Sequence, residues 1–222
     1  MNLFPNLTRV APAFPGFEHI QRTAGRNGFP ARARILPGEL YVSGQDEEIV
    51  TVLGSCISVC LRDPQAGVGG MNHFLLPEPG RDGHNSARYG CRAMEQLIEA
   101  LMKWGATRSR LEAKVTGGGD MGIEGCQVAR RNIEFIDEFF CLQGIEPLAR
   151  DVGTGHPRKV RYHPVTGRLM VCRLPFLMET PGVSEVEVRL EQYWHNSGKT
   201  VSPQWRGQSV NLEQSIRLGA RR

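Results

Sequence analysis

The chain has 222 residues and a mass of 24.7 kDa; 40% of its residues are hydrophobic and 23% are charged. A chain of this length buries a sizeable core without disulfides or metals, and this composition excludes collagen-like, coiled-coil and fully disordered proteins. No apolar run approaches the roughly 20 residues of a membrane span. Residues 1–16 lack a secretory signal pattern, so we expect a cytoplasmic protein without membrane insertion.

The net charge of +4 is distributed unevenly along the chain. Residues 1–35 and residues 195–222 each carry +4, which leaves −4 for the segment between them. A nucleic-acid-binding domain has the opposite distribution, so we expect no nucleic-acid partner. Prolines interrupt residues 1–35, which we predict to be a flexible basic extension. We predict a folded domain over residues 36–194 and a loosely ordered basic tail over 195–222.

The middle segment predicts an α/β fold. β-Branched runs predict strands at 40–42, 49–53, 57–61 and 68–76, and turn residues at 63–67 join the last two into a hairpin. Apolar periodicity predicts helices over 93–102 and 128–142, each followed by a glycine. Further strands are predicted at 111–116, 145–149, 159–162 and 169–174, with an edge strand at 184–190. We expect an α/β sandwich with mostly antiparallel or mixed sheets and two main helices.

A cysteine stands where the second of these strands is interrupted, in Leu53-Gly54-Ser55-Cys56. A tight turn at this point presents sulfur beside backbone N–H groups, which stabilise a thiolate. The N–H groups around Ser55 and Cys56 are also placed to hold the oxyanion that forms when the thiolate attacks an acyl carbon. The sequence therefore makes Cys56 a candidate nucleophile, whereas the more common role of such a cysteine is packing.

A nucleophilic cysteine needs a base within hydrogen-bond reach. His73, in Gly69-Gly70-Met71-Asn72-His73-Phe74, lies on the return strand of the predicted hairpin, which brings it back towards Cys56. Structural packing is again the alternative role. Among the other cysteines, Cys60 fits a core position better, and Cys126 is the second candidate nucleophile.

Other polar segments carry weaker signals. The run Gly117-Gly118-Gly119 lacks the residues of a phosphate-binding loop, so we expect it to shape a pocket near the Cys56–His73 pair. The cluster Arg158, Lys159 and Arg161 is typical of a solvated face, and His84, His156 and His163 lie in polar turns. No cysteine–histidine spacing matches a metal module, and we expect neither a metal nor an organic cofactor.

Two long runs resemble the family of chemoreceptor glutamine deamidases called CheD. They are Thr51-Val52-Leu53-Gly54-Ser55-Cys56-Ile57-Ser58-Val59-Cys60-Leu61-Arg62-Asp63-Pro64 and Gly69-Gly70-Met71-Asn72-His73-Phe74-Leu75-Leu76-Pro77. Shorter matches follow in family order, among them Arg131-Asn132 and Pro157-Arg158-Lys159-Val160, so the resemblance extends over roughly residues 36–175.

This resemblance implies a fold related to toxin-type deamidases and hydrolysis of receptor glutamines to glutamates. It assigns the nucleophile to Cys56, the base to His73 and the third catalytic residue to Thr51. Because receptors are long helical bundles, we expect an open groove, with Gly54, Gly70, Asn72 and Gly118 as candidate lining residues. Some family members also bind a CheC-type phosphatase.

Two other functions are compatible with the same residues. A non-catalytic adaptor would bind chemoreceptors or a CheC-type phosphatase without using Cys56 chemically. A different cysteine hydrolase or a transamidase would share the Cys56–His73 pair and differ in its acyl acceptor.

Overall fold

The structure, a computed structural model, describes residues 11–25, 30–77, 86–122 and 127–175. Within these residues ten strands form two five-stranded sheets. The first sheet has the order β1-β2-β4-β9-β10 and the second has the order β3-β6-β5-β7-β8. Their bounds are β1 Gln21–Thr23, β2 Ala31–Arg34, β3 Leu40–Ser43, β4 Glu47–Leu53, β5 Ile57–Asp63, β6 Val68–Asn72, β7 Glu112–Gly117, β8 Ala149–Val152, β9 Arg158–His163 and β10 Arg168–Arg173.

Most neighbouring strands in these sheets are antiparallel. The exceptions are the parallel pairs β2–β4 and β7–β8. The β5–β6 hairpin is confirmed, with Cys60 opposite Met71 and Asp63 opposite Val68. The predicted α/β sandwich of mostly antiparallel, mixed sheets is therefore confirmed.

Two helices, α1 over Gly90–Lys103 and α2 over Val128–Gln143, confirm the helical periodicity. The apolar stripe of α1 is buried, because its Leu97 and Ile98 lie among the core residues. Gly144 ends α2 in the left-handed conformation, with φ of 62°. The N–H of Ile145 then donates to the carbonyl of Phe140, which is the usual closure of a helix at glycine.

The second sheet is the middle layer of the fold. Side chains at alternate positions of a strand point to opposite faces. On one face of the sheet Asn72 reaches Met94 of α1, and Phe74 packs edge-on against Phe135 of α2. On the other face Tyr162 of the first sheet reaches the Leu61 carbonyl. The helices and the first sheet therefore cover opposite faces of the second sheet.

Three local predictions differ from the structure. The extension predicted over residues 1–35 contains β1 and β2, which pair with each other and join β4, because Pro12, Pro15 and Pro30 all lie outside these short strands. The strand predicted at 145–149 starts only at Ala149, because the Ile145 N–H closes α2. The edge strand at 184–190 and the tail at 195–222 lie outside the described residues.

A buried carboxylate ties the N-terminal strands to the core. Glu47 is 1% exposed and accepts hydrogen bonds from Tyr41, Ser43 and Arg22, the last at 2.7 Å. Burial and the neighbouring Glu47 charge raise the pKa of Tyr41 above its ordinary range, so the phenol keeps its proton and remains a donor. Neither described helix is long and apolar enough to cross a membrane.

We expect Glu47→Ala to destabilise the fold by about 3 kcal/mol, because it removes the carboxylate that pairs with the largely buried Arg22 guanidinium and leaves the buried hydroxyls of Tyr41 and Ser43 without their acceptor. Urea unfolding at neutral pH measures this loss. Glu146→Ala, at an exposed position, is the matched control and should change the unfolding free energy by less than about 0.5 kcal/mol. Equal small effects of the two substitutions would show that β1 is not anchored through Glu47.

Candidate active site

The connection between β4 and β5 carries the candidate nucleophile from one sheet to the other. β4 belongs to the first sheet and ends at Leu53, and β5 belongs to the second sheet and begins at Ile57. Gly54, Ser55 and Cys56 therefore cross between the sheets at one end of the sandwich. Cys56 is 7% exposed and Ser55 is 1% exposed, which places the thiol just beneath the surface.

A run of glycines holds this connection by its backbone. Gly118 N–H donates to the Cys56 carbonyl at 2.7 Å, and Gly119 N–H donates to the Gly54 carbonyl at 2.8 Å. Gly117 has φ of 120°, and a Cβ at this position would lie 2.2 Å from the Cys56 carbonyl oxygen. Only glycine permits this backbone approach. The glycine run thus lies beside Cys56, where it fixes the turn.

His73 is held in place by its own backbone. Its N–H donates to the Glu39 carbonyl at 2.9 Å, and its carbonyl accepts from Gly38 N–H at 2.7 Å. The next residue, Phe74, exchanges both backbone hydrogen bonds with Ile57, at 3.0 and 3.1 Å. This bridge continues the β5–β6 register as far as the residue that follows Cys56. If the alternation of the strand is extended by one residue, Cys56 falls diagonally opposite His73 on the same face.

The first sheet supplies a side chain to the imidazole. Thr51 Oγ1 on β4 lies 2.9 Å from His73 Nδ1 and 2.9 Å from the Ile35 carbonyl oxygen. A carbonyl only accepts, so the single hydroxyl proton of Thr51 goes to Ile35. The oxygen of Thr51 must then accept the hydrogen bond from Nδ1–H. This arrangement fixes the tautomer in which His73 Nε2 carries the lone pair.

Burial keeps this imidazole neutral. His73 is 2% exposed, and desolvation lowers its pKa to about 3. Its Nε2 is buried and has no hydrogen-bond partner among the described residues. Near neutral pH the ring is therefore a base with one available nitrogen, on the face of the sheet that Cys56 shares.

The structure places three of the predicted groove residues in the core. A Cβ on Gly70 would meet Val42 and Leu97 at 2.7 and 2.8 Å, and one on Gly118 would meet Ile133 at 2.7 Å. Asn72 is fully buried; its Oδ1 accepts from Val59 N–H. The prediction of these three as groove-lining residues is wrong, because α1 and α2 cover them.

Access to the site also differs from the expectation. Gly54 is partly exposed and remains a candidate for contact with a substrate. Cys56 and His73 are nearly covered, so the site is almost closed where an open groove was expected.

The other polar candidates take structural or surface positions. Cys60 is 1% exposed and burial raises its pKa well above its ordinary value, as its predicted core position requires. Arg158 is fully buried and bound to the carbonyls of His156 and Gly153, so its prediction as a solvated residue is wrong. His163 is only partly exposed and contacts Asp46 at 2.8 Å. Cys126 and His84 lie outside the described residues.

Two groups at the site were not found by the sequence reasoning. One is the Ile35 carbonyl, for which a sequence gives no signal because every residue has one. The other is Asn132, a fully buried polar residue on α2; it lies among apolar positions of the helical period, which is the signal that identifies it. Within the described residues no group of three or more His, Cys, Asp or Glu side chains is arranged to hold a metal ion.

We expect Gly117→Ala to destabilise the protein by about 3 kcal/mol, because it adds a backbone overlap to the strain of a positive φ. Gly144→Ala is the matched control: Gly144 also has positive φ, but nothing lies within 4 Å of its added Cβ, so about 1 kcal/mol is expected. Urea unfolding measures both. Similar losses in the two variants would contradict the close approach at Gly117.

The lowered pKa of His73 predicts a pH dependence of stability. The unfolded chain binds a proton near pH 6.5 and the folded chain only near pH 3, so this contribution to stability is complete above pH 6.5 and is lost as the pH falls towards 3. Between pH 6 and pH 4 wild-type stability should fall more steeply than that of His73→Asn, by up to about 1.4 kcal/mol per pH unit. Urea unfolding across this range measures both slopes, and parallel slopes would contradict a buried neutral His73.

Comparisons with known proteins agree with the family that the motifs resemble. A family model described as CheD chemotactic sensory transduction matches residues 75–173. The protein named probable chemoreceptor glutamine deamidase CheD from Herminiimonas arsenicoxydans is 51% identical over 148 residues, which cover 64% of this chain and 73% of that protein. Its namesake from Halorhodospira halophila is 42% identical over 194 residues, 84% of this chain and 88% of that protein. At this identity and coverage, the chain belongs to the CheD family.

Proposed function

We propose that this protein is a cysteine-dependent amidohydrolase that converts glutamine side chains of methyl-accepting chemotaxis receptors to glutamates in the cytoplasm. The observation that carries the proposal is the buried neutral imidazole of His73. Thr51 fixes its tautomer, and its Nε2 has no hydrogen-bond partner among the described residues. The register of the Ile57–Phe74 bridge, extended by one residue, brings Cys56 to the same face. The two relatives described above are named as probable chemoreceptor glutamine deamidases, which supports the choice of substrate.

The first half of the reaction acylates Cys56. The sulfur attacks the carbon of the glutamine carboxamide while His73 Nε2 takes the thiol proton. Because the pKa of His73 is low, this proton moves during the attack and no ion pair need exist beforehand. Backbone N–H groups at Ser55 and Cys56 hold the oxyanion. The imidazolium then returns its proton to the departing nitrogen, ammonia leaves and a thioester remains.

The second half repeats these roles with water. Nε2 takes a proton from a water molecule as its oxygen attacks the thioester carbon. The tetrahedral intermediate collapses, the imidazolium protonates the sulfur and a glutamate side chain is released. The net reaction consumes one water and produces one ammonia, so it requires no redox partner and no cofactor.

Thr51 acts through His73 in this scheme. Its hydroxyl accepts from Nδ1–H and donates to the Ile35 carbonyl, so it holds the lone pair on the nitrogen that faces the cysteine. The same oxygen stabilises the imidazolium that forms in the transition state. The threonine therefore positions the base and does not touch the substrate.

The proposed reaction is tested by mass spectrometry of purified receptor fragments incubated with the wild type and with Cys56→Ala. The wild type should produce the mass gain of an amide-to-acid conversion at specific glutamines, and the variant should produce none. A wild type that modifies no glutamine, or a variant that modifies the same ones, would contradict the proposal. A different result would favour the non-catalytic adaptor that binds receptors or a CheC-type phosphatase. In that case surface variants would lose chemotaxis, whereas Cys56→Ala would behave as the wild type.

We expect Thr51→Val to lower kcat by roughly 10²-fold with little change in KM, because valine accepts no hydrogen bond and the imidazole loses its fixed tautomer. Thr51→Ser is the matched control: it keeps the hydroxyl and should stay within a few-fold of the wild type. Steady-state ammonia release measures both parameters. An unchanged kcat in Thr51→Val, or an equal loss in both variants, would contradict the role of the hydroxyl.

A further inference from the structure

A buried asparagine on α2 contacts both chain segments that form the site. Asn132 is fully buried. Its Nδ2 donates one hydrogen bond to the Ser55 carbonyl at 3.1 Å and another to the Leu75 carbonyl at 2.8 Å. Ser55 immediately precedes Cys56, and Leu75 lies two residues after His73. One side-chain amide thus binds two segments of the chain: the β4–β5 connection, which carries Cys56, and the segment after β6, which carries His73.

The contact with Ser55 determines the direction of the next N–H group. The Ser55 carbonyl and the Cys56 N–H belong to one planar trans peptide unit, in which C=O and N–H point in opposite directions. No cis peptide occurs in the described residues. By fixing the carbonyl, Asn132 therefore turns the Cys56 N–H away from α2. This N–H is one of those that hold the oxyanion in the proposed reaction.

The contact with Leu75 holds the two segments together where the sheet no longer does. The bridge between Ile57 and Phe74 is the last backbone pair of this hairpin before Cys56. Beyond it, the N–H of Leu75 turns to the Arg88 carbonyl instead. At this position, where the two segments diverge, Asn132 binds the Ser55 carbonyl of one and the Leu75 carbonyl of the other, and so maintains their spacing beside Cys56.

The chemistry of the contact requires a side-chain amide at this position. A residue that donates two hydrogen bonds from one short side chain is needed, and asparagine provides this with its NH₂ group. The remaining oxygen, Oδ1, is buried and has no hydrogen-bond partner among the described residues. An unpaired buried acceptor costs free energy, so the side chain is poorly matched to a purely structural position and well matched to holding two carbonyls.

We propose that Asn132 is a positioning residue that orients the Cys56 N–H towards the oxyanion. This inference rests on the proposed deamidase function. It adds a residue that stabilises the transition state indirectly, by fixing the peptide unit between Ser55 and Cys56. The side chain does not itself touch the substrate.

The test compares two properties of Cys56 in Asn132→Leu. Leucine has the same branched shape and the same number of side-chain heavy atoms but donates nothing, so kcat for receptor fragments should fall by roughly 10²-fold, while KM stays within about twofold of the wild type. Alkylation of Cys56 by iodoacetamide requires the thiolate and its base but forms no oxyanion on a carbonyl carbon. Its rate should therefore stay within about threefold of the wild type.

Ile136→Ala is the matched control, because Ile136 is buried on the same helix one turn further on and contacts neither carbonyl through a hydrogen bond. It should lose stability and keep its kcat. Asn132→Asp, which keeps the shape and loses at least one donor, should lose kcat as Asn132→Leu does. If neither Asn132 variant folds, deuterium exchange of the Asn132 side-chain amide is measured in the wild type. Strong protection supports the two hydrogen bonds from Nδ2 to the Ser55 and Leu75 carbonyls, and exchange as fast as in an exposed asparagine overturns the inference.

Two results with a folded variant would overturn the inference. An unchanged kcat in Asn132→Leu would show that the contact does not matter for the reaction. Equal losses in kcat and in alkylation rate would show that Asn132 supports the fold of the whole site and not the oxyanion. If the wild type itself releases no ammonia, the proposed function fails and this inference fails with it; activity in the wild type and full activity in the variant contradict the role of Asn132 alone.

Discussion

The hydrogen bond between Thr51 and His73 is the interaction on which the rest of the account depends. It joins a strand of one sheet to the end of a strand of the other, and it sets the protonation pattern of a buried ring. Because the Thr51 proton is committed to the Ile35 carbonyl, the imidazole has one permitted tautomer. Desolvation then keeps that ring neutral. In the proposed function, the fold thereby makes His73 a base whose reactive nitrogen is Nε2.

At the same end of the sandwich, backbone packing holds the residues around Cys56, the nucleophile of the proposed reaction. Two glycine N–H groups bind the carbonyls of Gly54 and Cys56, and the close approach at Gly117 leaves no room for a side chain. On the other side, Asn132 binds the carbonyl of Ser55. Every peptide around the sulfur is therefore held by a neighbouring element, which is the preorganisation that oxyanion stabilisation requires.

How far the sequence predicts this molecule depends on whether a signal is local. The hairpin and both helices follow from turn residues and apolar periodicity, and the hairpin alone brings Cys56 and His73 onto one face. The strands within residues 1–35 escaped prediction because they are short and owe their order to tertiary pairing, β1 with β2 and β2 with β4. The basic cluster around Arg158 led to the prediction of a solvated residue, although the alternation of Arg158 with Val160 and Tyr162 puts it on the buried face of β9. Asn132 stands among the apolar positions of α2 and could have been identified from that period, whereas the Ile35 carbonyl takes part through a tertiary contact that only the fold reveals.

Nitrogen NMR of the His73 ring, in protein labelled with ¹⁵N-histidine, tests the central claim most directly. We predict a protonated Nδ1 and a bare Nε2 at neutral pH, with the ring remaining neutral as the pH falls well below 6.5, the ordinary pKa of histidine. Substitution of Thr51 by valine should release that preference. A ring with its proton on Nε2, or one that titrates near pH 6.5 in the folded protein, would contradict the account.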